Sequence, residues 1–168
     1  MSRLYIFGLG SPYGWDRIGW AVTDQLSNTF ASKTDIVVDT LSNPISLFSH
    51  PITPDDEILF IDSMIGQAPA GTIQEFGPLT LPPASARLST HGIDLRTTVA
   101  LLTGMGLPDE HIHIIAIEAP ADTEQAEYPR TTQDLTPSVT ALAAAATDWV
   151  VGWRETSSGT PRNVRAGN

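Results

Sequence analysis

The sequence predicts an α/β fold, a single-domain three-layer sandwich with a mostly parallel twisted sheet and helices on both faces. Short apolar runs such as EILFID and IHIIAI are continuous, as in strands that are buried on both faces. Segments with helical spacing alternate with these runs, which is the order of βαβ units. No domain boundary interrupts residues 1–153, and the Ser-, Gly- and Arg-containing segment 154–168 is predicted to be a disordered tail.

The individual elements follow from local patterns. Apolar or alternating runs predict five strands: residues 3–7, 35–39, 57–62, 71–76 and 112–117. Amphipathic spacing, capping residues or a leading proline predict four helices: residues 18–30, 43–49, 93–105 and 134–153. Prolines without a clear period predict two loops: residues 77–88 and 119–134.

Composition excludes several classes of function. The net charge of −10 repels a phosphate backbone, so we expect no nucleic-acid partner. The chain has no cysteine, which excludes disulfides, thiolate metal sites and a cysteine nucleophile. No stretch reaches the length of a membrane span, and the N-terminal apolar run is too short for a signal peptide. We therefore expect a cytoplasmic protein without membrane contact.

Three residues fall where a parallel sheet gathers its functional groups, beyond the carboxyl ends of strands. Asp16 follows the first strand, Asp62 ends the run EILFID, and His91 precedes the helix that leads to the next buried strand. Two carboxylates and an imidazole can bind a divalent cation and leave positions open for water or substrate. At about 4 Å two carboxylates repel by about 4 kcal/mol at an effective dielectric of about 20, so either a cation or a shared proton would lie between them.

Structural roles for the same residues are also open. A carboxylate at the start of a helix caps it, which would suffice to explain Asp16 or Asp62, and a single histidine near a cap is commonly structural. The stretch GLGSPYG matches the first two glycines of a dinucleotide-binding loop at Gly8 and Gly10, and Asp39 could imitate the ribose-binding acid. Tyr13 stands where the third glycine is required, so a phosphate site is not favoured.

These motifs together resemble the maturation endopeptidases of nickel-iron hydrogenases over residues 3–152. GLGSPYGWDRIG follows the opening motif of that family with one residue fewer, and with Ser11, Trp15 and Arg17 in place of its usual residues. ILFIDSMIGQAPAGTI, STHGIDL, IIAIEAP and DLTPSV follow its later motifs in the same order. Of the family's D-G-G-T segment only Asp39 is kept, before Thr40-Leu41-Ser42.

The resemblance implies a function and its residues. It implies a hydrolase, an aspartic-type-like and nickel-dependent endopeptidase that removes the C-terminal extension from the nickel-loaded precursor of the hydrogenase large subunit. Asp16, Asp62 and His91 would be the catalytic residues and would bind nickel that the substrate supplies, so that no permanently bound metal is expected. Asp39 would help to bind the substrate, and the protein would be a monomer or a weak dimer.

Two other functions remain open from the sequence. Trp15 and Arg17 depart from the family motif, and Arg17 could pair with Asp16, so a non-catalytic nickel-binding or chaperone-like protein of the same fold is one alternative. A peptidyl-tRNA hydrolase-like esterase is the other, because GLGSPYG is similar to the loop of that family. Ser11 replaces its asparagine, however, and no histidine occurs in the following WDRIGW.

Overall fold

The computed structural model describes residues 2–82, 87–88, 95–120 and 135–157. Six strands and three α-helices follow in chain order: β1 (Leu4–Leu9), α1 (Ile18–Thr29), β2 (Ile36–Leu41), β3 (Glu57–Ile65), β4 (Ile73–Phe76), β5 (Arg87–Leu88), α2 (Leu95–Gly104), β6 (Ile112–Glu118) and α3 (Thr136–Ser157). Short 3-10 turns lie at Gly14–Arg17, Pro44–Ser49, Pro78–Thr80 and Asp109–His111. The predicted segment 43–49 is one of these turns, and the side chain of Asn43 caps it by accepting the N–H of Ile45.

The strands form one sheet in the order β2-β1-β3-β6-β4, and β5 pairs with the end of β3. β2, β1, β3 and β6 are parallel, whereas β4 and β5 are antiparallel to their neighbours. The four parallel strands therefore finish at one edge of the sheet, which we call the carboxyl-terminal edge. Their starts form the amino-terminal edge.

Alternating side chains divide the core into two apolar layers, one on each face of the sheet. Ile61 and Ile115 pack with residues of α1 and α3 on one face. Phe60 and Ile114, one position earlier in each strand, pack with residues of α2 on the other face. The predicted α/β sandwich with helices on both faces of a mostly parallel sheet is thus confirmed.

Three predictions differ most from the structure, two of them because strands pair residues that are distant in sequence. β3 continues past Asp62 to Ile65, because Ser63 and Met64 pair with β6. Arg87–Leu88 is a strand inside the predicted loop 77–88, because it pairs with Met64 and Ile65. α3 continues beyond residue 153 to Ser157, so residues 154–157 are helical rather than part of a tail.

Some predictions concern parts of the chain outside the described residues. These are the start of the predicted helix at 93–94, most of the predicted loop 119–134 and the rest of the tail from residue 158. In the parts of the chain that the structure describes, no helix is both long enough and apolar enough to cross a bilayer.

Candidate active site

The loop after β1 carries Asp16 and folds back onto the end of that strand. A Cβ atom on Gly10 would lie 1.8 Å from the backbone oxygen of Asp16, and the φ angle of Gly10 is +144°. The N–H of Ser11 donates to the same oxygen at 3.2 Å. The backbone of Asp16 is therefore held against the carboxyl end of β1, and only glycine allows that approach.

The other glycines of this motif allow α1 to pack closely on the sheet. A Cβ on Gly19 would lie 2.1 Å from the Leu9 oxygen and 2.8 Å from the Ile61 oxygen. A Cβ on Gly8 would lie 2.3 Å from the Gly19 oxygen. The glycine spacing that imitates a dinucleotide-binding loop is thus explained by helix–sheet contact, without a bound phosphate.

Asp62 lies on β3, deep in the sheet and close to its carboxyl-terminal edge. Asp62 is fully buried. Because side chains alternate along a strand and Ile61 projects to the face of α1 and α3, the Asp62 side chain projects to the α2 face. Oδ1 accepts the N–H of Ser63 at 2.7 Å, and Oδ2 is shielded from solvent. Asp62 is opposite Ala116 of β6. On the other side of β3, pairing with β1 ends at Ile61, one residue before Asp62.

The structure brings Asp16 and Asp62 to the same edge of the sheet. The 3-10 turn Gly14–Arg17, which contains Asp16, packs against β3. Oδ2 of Asp16 is also shielded from solvent. Two acidic residues from distant parts of the chain thus lie at the end of the central strands, where the sequence predicts a cation site.

The third predicted ligand, His91, lies outside the described residues. α2 begins four residues later, at Leu95, and packs on the sheet face to which Asp62 projects. Within the described ranges no group of three or more His, Asp or Glu side chains is arranged to hold a metal ion. The three-residue ligand set therefore stays a prediction.

Asp39, the predicted substrate-binding residue, lies on β2 and pairs with a histidine. Its Oδ2 is 3.0 Å from Nε2 of His50, and its side chain is 46% exposed. The His50 ring packs on Phe7 with centroids 5.1 Å apart. No regular spacing joins His50 to Asp39 in the sequence, so the pair is not predictable from it.

Glu118 is a functional candidate that the sequence analysis missed. It ends β6 at the carboxyl-terminal edge and is 1% exposed. Its Oε1 accepts the N–H groups of Gly66 and Gln67, the latter at 3.0 Å. The rule that selected Asp62, an acid that closes an apolar run, would also have selected this residue in IHIIAIE.

The departures from the family motif do not disturb Asp16. Trp15 is half-buried and packs against the apolar layer between the sheet and the α1 and α3 helices. Arg17 is exposed, and among the described residues its guanidinium makes no salt bridge with Asp16. The pairing of Arg17 with Asp16 that the sequence leaves open is therefore not formed.

Comparisons with solved structures identify the fold. The NiFe hydrogenase maturation protease HycI from Thermococcus kodakarensis KOD1 is similar with a TM-score of 0.66 and 18% identity, covering 88% of this chain and 91% of that one. HybD from Thermococcus kodakarensis is similar with a TM-score of 0.61 and 16% identity, covering 88% of this chain and 98% of that one. The hydrogenase maturating endopeptidase HybD from E. coli is similar with a TM-score of 0.58 and 16% identity, covering 94% of each chain.

Sequence comparison adds nothing to this result: no family model matches the chain, and no match is found among curated proteins. The likeness in structure extends over most of both chains in each pair. The chain therefore has the fold of the hydrogenase maturation proteases.

Proposed function

We propose that this protein is an endopeptidase that removes the C-terminal extension from the nickel-loaded large-subunit precursor of a NiFe hydrogenase. The observation that carries the proposal is the buried Asp62 carboxylate, which lies with Asp16 at the carboxyl-terminal edge of a maturation-protease fold. The cytoplasm, the expected location from the sequence, is part of the same proposal.

The chemistry of these residues supports this function. Carboxylates brought together at a strand edge attract a divalent cation more strongly than either does alone, because their mutual repulsion is relieved when it binds. A substrate that carries nickel would bring that cation with it, and His91 would complete the ligand set. The scissile peptide would then lie beside a Lewis acid that can polarise its carbonyl or activate water. The protein's own contribution is to place the two acids and exclude solvent around them.

The test is cleavage of purified precursor, prepared with and without nickel. Wild-type protein is expected to shorten the nickel-loaded precursor and leave the nickel-free one intact. Asp16→Asn, Asp62→Asn and His91→Gln each keep the approximate shape of the side chain and are expected to lower kcat/KM by about 10³-fold or more. Asp24→Asn is the matched control, since Asp24 is an exposed acid on α1.

Each alternative function predicts a different result. A nickel-binding or chaperone-like protein would bind the loaded precursor, lose that binding in the Asp62→Asn variant, and release an uncut product. A peptidyl-tRNA hydrolase-like esterase would cleave peptidyl-tRNA and ignore the precursor. Cleavage that survives Asp62→Asn at the wild-type rate would contradict the proposed site.

A further inference from the structure

The segment that joins β3 to β4 crosses over the carboxyl-terminal edge of the sheet. β3 and β4 pair with opposite sides of β6. The connecting residues 66–72, which we call the arch, must therefore pass over the end of β6. The arch is largely exposed, so its residues are accessible to a protein that docks at this edge.

Glu118, the last residue of β6, is bonded to both ends of the arch. Its Oε1 accepts the N–H groups of Gly66 and Gln67 at the start. Its backbone N–H donates to the Thr72 oxygen at 2.8 Å, and its backbone oxygen accepts the Gly71 N–H at 2.8 Å. One buried residue thus makes four hydrogen bonds that determine the shape of an exposed seven-residue segment.

The arch is continuous with the strand that carries Asp62. Asp62 is opposite Ala116, and Met64 is opposite Glu118, so the two acids lie two rows apart on adjacent strands. Both project to the α2 face, because side chains alternate along each strand and Ile61 and Ile117 project to the other face. The arch thus begins three residues after Ser63 on the strand that carries Asp62, and Glu118 lies on the neighbouring strand and the same sheet face.

We propose that Glu118 is a positioning residue of the candidate active site, which holds the arch in the conformation that receives the substrate protein. The inference rests on the proposed function for its substrate and on the observed hydrogen bonds for its mechanism. Glu118 acts through the arch backbone and does not touch the reacting atoms. Its loss therefore affects substrate binding more than the chemical step.

The two carboxylate oxygens of Glu118 differ, which makes a sharp test possible. Oε1 accepts both arch N–H groups, whereas Oε2 is shielded from solvent and has no hydrogen-bond partner among the described residues. Glu118→Gln can keep its carbonyl oxygen at the Oε1 position and preserve both bonds. Glu118→Ala removes both and leaves two N–H groups without their acceptor, which is costly where water does not replace it.

The first measurement is amide hydrogen exchange at Gly66 and Gln67 in the full-length protein. We expect exchange at both amides to accelerate by about tenfold or more in Glu118→Ala and to stay within about threefold of wild type in Glu118→Gln. Glu110→Ala is the matched control, because Glu110 is an exposed glutamate near the opposite edge. Unchanged exchange in Glu118→Ala would overturn the inference.

The second measurement is the cleavage of nickel-loaded precursor by the same variants. Glu118→Ala is expected to raise KM by about tenfold with kcat within about threefold of wild type, and Glu118→Gln to restore KM. A fall in kcat without a change in KM, or a Gln variant as impaired as the Ala variant, would overturn the positioning role. If wild type does not cleave at all, the proposed function fails and the substrate part of the inference with it, whereas amide exchange still decides whether Glu118 holds the arch.

Discussion

The two edges of the sheet contain buried acids in different surroundings. At the amino-terminal edge, Asp56 accepts three hydrogen bonds: from the N–H of Arg3 at 2.7 Å, and from the N–H and hydroxyl of Thr53 at 2.8 and 2.9 Å. At the carboxyl-terminal edge, Oε2 of Glu118 accepts no hydrogen bond from any described residue, and Oδ1 of Asp62 accepts the N–H of its own neighbour. The first arrangement stabilises the fold, whereas the second places two carboxyl groups at the candidate active site.

A second acid at the amino-terminal edge strengthens the contrast. Oε2 of Glu57 lies 3.2 Å from Nε2 of His113, whose ring also packs on Trp149. Burial alone would raise the pKa of Glu57, but the hydrogen bond of His113, the indole N–H of Trp153 and the charges of His113 and His111 together outweigh it and hold that pKa below its ordinary value. The indole N–H of Trp153 lowers the pKa of Glu57 although it lies outside direct hydrogen-bonding geometry. The charge of His111 also lowers this pKa.

The largest expected effect tests the carboxyl-terminal edge. Asp62→Asn should abolish cleavage by about 10³-fold or more. The free energy of unfolding should fall by about 1 kcal/mol, because the amide oxygen can still accept the Ser63 N–H. Denaturant unfolding beside the cleavage assay measures both. A large loss of stability would mean that Asp62 is mainly structural.

Asp56→Ala is the corresponding change at the amino-terminal edge. It removes the acceptor of three hydrogen bonds at a residue that is 4% exposed, so the free energy of unfolding should fall by about 3 kcal/mol. The kcat/KM of the folded variant should equal that of wild type. Loss of cleavage in protein shown to be folded by circular dichroism would break the division between the two edges.

A change at Gly10 tests how Asp16 is held. Gly10→Ala brings a methyl group into the Asp16 backbone oxygen, so the 3-10 turn must move and the protein should lose about 2 kcal/mol of stability. Cleavage should fall as well, because Asp16 moves with the turn. Gly106→Ala is a useful comparison: it also has a positive φ, but the nearest atom to the added Cβ is Cγ of Pro54 at 4.0 Å. Equal effects of the two on cleavage would contradict a specific link between Gly10 and Asp16.

The smallest expected effect is the pH dependence of the Glu57 interaction. Because the pKa of Glu57 is lower in the folded protein than its ordinary value of 4.5, its ionised form stabilises the fold above that pH. Glu57→Gln should therefore cost about 1 kcal/mol near pH 5, where a carboxylate and an imidazole both carry their charges. The difference from wild type should shrink as pH falls below 4.5 towards the folded pKa. Unfolding measured from pH 5 downwards checks it, with exposed Glu110→Gln as the control; a difference that grows below pH 4.5 would contradict the assignment.

The sequence predicted the parts of the fold that depend on local pattern. The buried strands around Ile58–Ile61 and Ile112–Ile117, and the helix from Ile18, were found because their apolar periodicity is strong. β5 could not be found, since two residues carry no periodicity and form a strand only by pairing with Met64 and Ile65. The extension of β3 through Ser63 was missed for the same reason.

The position of Asp16 and Asp62 in the fold was predictable from the sequence, whereas their role as a site, with His91, stays a prediction. The strand-end rule selected Asp16 and Asp62, and the structure places both at the carboxyl-terminal edge. The pairing of His50 with Asp39 depends on how the Pro44–Ser49 turn folds over β1 and β2, which no sequence spacing reveals. Glu118 was within reach of the same rule, but its role depends on the arch that crosses above it.

The contact between Gly10 and the Asp16 backbone has a consequence for how this loop can vary. The N–H of Ser11 donates to the backbone oxygen of Asp16, and this oxygen also lies against Gly10. The hydrogen bond therefore closes the loop that contains residues 12–15. Insertions or deletions at residues 11–13, before the 3-10 turn, are expected to change the size of a surface bulge and to leave the acid in place. Loops of other lengths should therefore be tolerated there with the carboxylate in the same position.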